Sequence, residues 1–202
     1  MAKKAAPAAK ASGKLQFHSW IETFDFGKEL KVKSEITGYV YFLGVDDSAK
    51  FASLVGEHAL EWQAKSLKQS EKEVVSFVGA QGPVWILRPR KKATAGHDGL
   101  IDEAAYTWAR DQFGSLVNQF KAQQLKAVQI ELHGTEGVQD LGALTGMDVA
   151  AYSYRQFVDG KQLADLPKVA LKKSLGAWDK AVVKDAMLRA RAVNVARHMV
   201  NL

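Results

Sequence analysis

The string ITGYVYFL at residues 36–43 constrains this chain more than any other feature. It is rich in β-branched and aromatic residues, and its polar residues lie only near its start. Such a run reads as a strand buried on both faces, which belongs in a sheet covered on two sides by helices. Gly44 closes the strand, and Asp46, Asp47 and Ser48 offer helix N-caps. Phe51, Leu54, Val55, His58, Ala59 and Trp62 then fall at helical spacing, predicting a helix over 48–62. His58 lies on that apolar stripe and reads as a hydrogen-bonded core histidine rather than a ligand.

The remaining elements follow from the same periodicities. Leu15, Phe17, Ser19 and Ile21 alternate with polar or outward positions, predicting a first strand, a turn at 24–27 and a second extended piece at 29–33. Two short apolar runs, 74–78 and 84–87, are joined by GAQGP, a hairpin signature. After a linker, AGHDGLIDE, a helix is expected over 100–124, with Gly114 interrupting its stripe. A strand at 127–132, the loop HGTEG, a helix over 138–157, a strand at 169–171 and a last helix from about 177 complete the chain. Strands alternate with helices, and the hairpin adds an antiparallel pair. The expected architecture is a three-layer α/β/α sandwich with a mixed sheet.

A chain of 202 residues holds one such domain, expected over 15–202. Residues 1–14 contain Lys3, Lys4, Lys10 and Lys14, no acid and little apolar bulk, and read as a disordered basic arm. They supply four of the net six positive charges, so the folded part is only mildly basic. With no cysteine, a disulfide framework, a thiolate metal site and a thiol nucleophile are all excluded. The longest apolar stretch, 36–45, is far short of the roughly 20 residues of a membrane helix. The expectation is a cytoplasmic protein without a membrane partner.

The search for chemistry yields weak candidates. The histidines 18, 58, 97, 133 and 198 stand apart from one another, with no metal-ligand helical spacing. His97 and Asp98 sit in a Gly-flanked loop that reads as a turn. There is no Gly-x-Ser-x-Gly elbow and no Walker loop. The loop His133-Gly134-Thr135-Glu136-Gly137 joins a strand to a helix, where amides can hold an anion, but it also reads as an ordinary turn. Asp46-Asp47 and Asp102-Glu103 read as charges at helix N-termini. Arg88, Arg90, Lys91 and Lys92 form a basic cluster, RPRKK, and are the candidates for nucleic-acid contact. The competing reading is a solvated strand end. The sequence assigns no catalytic residue and no metal ligand.

Residues 190–202, ARAVNVARHMVNL, resemble the helix that joins the two domains of the leucyl aminopeptidase (cytosol aminopeptidase) family. Ala190, Asn194, Ala196, Arg197, Val200 and Asn201 match the pattern Ala-x-x-x-Asn-x-Ala-Arg-x-Leu-Val-Asn, with Met199 in place of Leu. Residues 146–157 are similar to a second family segment through Gly146, Tyr152 and Tyr154. The resemblance implies a non-catalytic, macro-domain-like N-terminal domain that serves packing, assembly or regulation. It also implies a hexameric parent enzyme, and zinc or manganese held by carboxylates and lysine in a catalytic domain absent from this chain. The family's Asn-Thr-Asp-Ala-Glu-Gly-Arg signature is missing here. The last helix reaches Leu202 without a Gly cap or Pro stop, which suggests an interrupted ending. The implied partners are that catalytic domain, other copies of the chain and, as the alternative function, DNA or a nucleotide-like ligand.

Overall fold

The computed structural model describes residues 17–30, 37–45, 47–90, 103–152 and 165–200. Among these residues six strands form one sheet: β1 (Asp25–Phe26), β2 (Thr37–Leu43), β3 (Val74–Gly79), β4 (Gly82–Leu87), β5 (Ala127–His133) and β6 (Lys168–Lys173). Their order is β1-β6-β5-β2-β4-β3. All neighbours run parallel except β3, which is antiparallel to β4. The string that framed the sequence reading becomes β2, between β4 and β5, with all seven of its residues buried.

Among the described residues five helices complete the layers: α1 (Ser48–His58), α2 (Glu61–Lys68), α3 (Glu103–Ala122), α4 (Gly137–Ala150) and α5 (Lys180–Val200). Alternation along β2 sends Tyr39, Tyr41 and Leu43 toward α1 and α2, where Phe51, Leu54 and Val55 meet them. Val40 and Phe42 face the other way, into a larger core with Phe113, Val117 and Phe120 of α3, Leu144 and Met147 of α4, and Ala186 of α5. The molecule is therefore a three-layer α/β/α sandwich around a mixed sheet, as the sequence predicts.

Several local expectations differ. Where a first strand was expected, Trp20–Thr23 form a 3₁₀ turn, and Ser19, Trp20 and Ile21 are all buried. The alternation fails there because the Trp20 N–H goes to the Asp148 carboxylate at 2.7 Å rather than to a neighbouring strand. The expected turn at 24–27 contains the two-residue β1, paired with β6. The helix predicted over 48–62 stops at His58, because Ala59 and Leu60 turn extended. The separate α2 was not anticipated, and Trp62, expected on the buried stripe, is 77% exposed. The helix predicted over 138–157 ends at Ala150. Residues 31–36, 46, 91–102, 153–164 and the arm at 1–14 lie outside the described residues, and so do the expectations that fall on them.

The central helix α4 is buried from Gln139 to Asp148. Its crossing with α3 requires small residues. A Cβ on Gly146 would lie 2.1 Å from the Arg110 carbonyl oxygen, and one on Gly142 would lie 2.4 Å from that of Tyr106. The two backbones touch, and any side chain at these points would force them apart.

Candidate functional site

Residues 190–200 of the string ARAVNVARHMVNL form the end of α5, and the structure shows what its matched Ala190, Asn194 and Arg197 do. Ala186, Ala190, Asn194 and His198 recur every four residues and form the buried stripe of α5. The alanines let the helix approach α4, and Asn194 and Arg197 then reach its C-terminus. Asn194 Nδ2 donates to the Asp148 carbonyl at 3.3 Å, and Arg197 Nη1 to that of Val149 at 2.9 Å. From the opposite side Lys121 Nζ of α3 donates to the Ala150 carbonyl at 3.0 Å. The last carbonyls of a helix lack intrahelical partners, and cationic donors there also suit the helix dipole. Burial lowers the Lys121 pKa.

Asp148 turns its side chain the other way. Its carboxylate accepts from Ser19 Oγ and Trp20 N, both at 2.7 Å, and ties the chain's first described segment to α4. It is fully buried, and burial pushes its pKa up to about 6 despite those two hydrogen bonds.

Beside this latch, α3, α4 and α5 enclose a groove of about 560 Å³. Tyr106 and Arg110 of α3, Thr145 of α4, and Arg189 and Arg197 of α5 line it. The Arg110 and Arg189 guanidiniums lie 5.9 and 5.5 Å from the centre of the Tyr106 ring. Each also pairs with an acid of its own helix: Arg110 with Asp111 at 2.9 Å and Arg189 with Asp185 at 3.0 Å. Three cations thus face one concavity, partly balanced by Asp111, which also lines it. At the floor, Thr145 Oγ1 is buried without a hydrogen-bond partner. The arrangement suits a carboxylate- or phosphate-bearing surface. Apart from Arg197, which the α5 string singles out, sequence reading missed these residues because they come from three helices and carry no shared spacing.

The basic cluster is split. Arg88 is 6% exposed and points inward, with its guanidinium 3.8 Å from the centre of the Phe51 ring. It donates to the carbonyls of Lys72, at 3.2 Å, and Ser70. Arg90 remains at the surface, 3.8 Å from Glu71. Lys91 and Lys92 lie outside the described residues, as do His97 and Asp98.

His58 is buried and shares a 2.7 Å hydrogen bond with the Tyr41 hydroxyl, which fits the core reading. The loop after β5 is closed by its Thr135 together with side chains of α4 and β6. Gln139 Nε2 donates to the Gly44 carbonyl at 2.7 Å, and Thr135 and Lys173 both bind the buried Asp140. Gly44 packs so tightly here that a Cβ would lie 2.1 Å from the Gly134 carbonyl oxygen. The loop is thus tied to the fold through Thr135 at the crevice where open α/β sheets commonly hold ligands.

Among the described residues no group of three His, Asp or Glu side chains could hold a metal ion. No helix among them is long and apolar enough to cross a membrane.

No family model and no curated protein sequence matches the chain. Among solved structures, a mutant of tomato leucine aminopeptidase is similar with a TM-score of 0.42 and 9% identity. The alignment covers 85% of this chain and 38% of the tomato chain. A likeness of that size carries no functional argument.

Proposed function

We infer that this chain is a non-catalytic packing domain of a leucyl aminopeptidase-like protein, and that its helical layer carries the packing surface. The observation behind this reading is how α5 divides its residues. The matched Asn194 and Arg197 hold the helix to α4, while Leu188, Val193, Met199 and Val200 remain exposed, with Val200 at 86%. A helix fixed inward by its motif and left apolar outward suits contact with a second domain. The arginine groove beside it suits acidic side chains of that domain. In this reading zinc or manganese is held by the partner, and oligomer assembly follows from the combined surfaces.

The chain is tested with leucine-p-nitroanilide and manganese. No metal-dependent turnover is expected, and turnover well above the blank overturns the proposal. A second reading rests on the three arginines of the groove, which would equally suit a polyanion such as DNA or a nucleotide-like ligand. Titration with duplex DNA and with ADP-ribose at two salt concentrations separates the two: the packing role expects no saturable binding by the folded part.

A further inference from the structure

A second cavity, of about 230 Å³, lies on the α1 side of the sheet, at the C-terminal end of that helix. Its floor is set by strand register. In the parallel pair β2–β5, Tyr39 stands opposite Gln129 and Tyr41 opposite Glu131. Side chains alternate across a strand, so these four share one face and line the same cavity. The rings of Tyr39 and His58 are stacked with centroids 5.9 Å apart, and Tyr41 is bonded to His58. Gln129 Oε1 accepts the Leu30 N–H at 2.8 Å, which fixes the amide plane.

Two polar atoms remain. Tyr39 Oη and Gln129 Nε2 have no hydrogen-bond partner, although their residues are only 4% and 5% exposed. Buried polar groups are nearly always paired, so two orphans on facing strand positions that open into one cavity mark a place for a ligand's polar atom. Around them stand carboxylates. Glu131 lies 3.5 Å from His133, Glu57 lies 3.7 Å from His58, and Glu29 pairs with Lys172. Burial first, then Glu131 and Glu57, hold the Tyr41 phenol well above its ordinary range, so it stays protonated.

The cavity thus offers an amide donor and a hydroxyl at its floor, with carboxylates around them. That pattern repels phosphates and carboxylates and suits an ammonium next to a neutral oxygen. The volume is below the roughly 300–1,000 Å³ of pockets for drug-sized molecules, so the occupant is small. We propose that this pocket binds a small primary amine carrying a neutral oxygen, an amino-amide or amino-alcohol. Its ammonium sits between Glu57 and Glu131, and its oxygen accepts from Gln129 Nε2 and the Tyr39 hydroxyl. This site is separate from the packing surface and stands whether or not that role holds.

The full chain is titrated with alaninamide, and in parallel with propanamide, which keeps the oxygen and lacks the ammonium. Calorimetry gives the affinity, and the Gln129 side-chain amide resonances report the location. Tyr39→Phe removes only an unpaired hydroxyl, and Glu57→Gln changes a side chain that is 67% exposed, so both variants keep the fold. Saturable alaninamide binding is expected, with propanamide silent and each variant weaker by about five-fold or more. Absence of alaninamide binding, equal binding of propanamide, or unchanged affinity in either variant overturns the proposal.

Discussion

Two buried charges show how much a single side chain decides here. Asp148 titrates at about 6 in the folded chain, against an ordinary value of 3.8. Between those values the folded state keeps its proton while the unfolded state loses it. Stability is therefore fully present below about pH 4 and falls as the pH rises toward 6, by roughly 3 kcal/mol at most. Asp148→Asn keeps an oxygen to accept the Trp20 N–H, places an amide that can donate to Ser19 Oγ, and removes the charge. Urea midpoints measured across this window are expected to slope down with pH in the parent and to be nearly flat in the variant. Arg88 makes the opposite kind of case, a cation whose position in RPRKK suggested the surface and whose guanidinium serves the interior. Arg88→Ala leaves the Ser70 and Lys72 carbonyls short of a donor and exposes one face of Phe51, a loss of roughly 2–4 kcal/mol. Arg90→Ala, at a half-exposed pair, is expected to change stability by less than about 0.5 kcal/mol in the same denaturation series.

At the scale of elements, the glycines of the α3–α4 crossing separate propensity from packing. In an exposed helix Gly→Ala stabilises by about 1 kcal/mol. Gly114 has room, since its added Cβ meets nothing nearer than the Gly146 carbonyl oxygen at 3.4 Å. Gly146 has none, because the Arg110 carbonyl blocks the way. Gly114→Ala should thus be neutral or stabilising and Gly146→Ala destabilising by about 1–3 kcal/mol, read from thermal midpoints. The sequence made such elements legible where their cause is local. The apolar run of β2, the hairpin of β3 and β4, and the stripe of α3 each carry their own period. It misled where the cause is tertiary. Helix α4 carries no Gly or Pro stop. Its end is met by Lys121, Asn194 and Arg197 from two other helices. The 3₁₀ turn at Trp20 likewise depends on a carboxylate 128 positions away. The candidate site was the least legible, because a groove shared by three helices has no spacing in one stretch of chain. Only the α5 string pointed toward it.

At the scale of the whole molecule the open question is where the basic charge acts. Four of the net six positive charges lie in residues 1–14, and the folded part keeps its excess partly in a groove where acids answer two of the three arginines. Each phosphate neutralised by a lysine or arginine contributes about 0.9 to the salt slope of duplex binding. If the arm carries whatever DNA affinity exists, deleting residues 1–14 should remove up to four such contributions and leave no saturable binding at either salt concentration. The packing role expects this outcome, because the groove's partner is then a protein surface rather than a nucleic acid. If the folded part binds DNA itself, the truncated chain keeps a saturable isotherm, and Arg189→Gln or Arg197→Gln lowers its slope by about one contribution each. Arg197→Gln also weakens the hold on the Val149 carbonyl, so Arg189→Gln is the cleaner probe. A fluorescence titration of the truncated chain and of its Arg189→Gln variant therefore assigns the charge to the arm or to the groove.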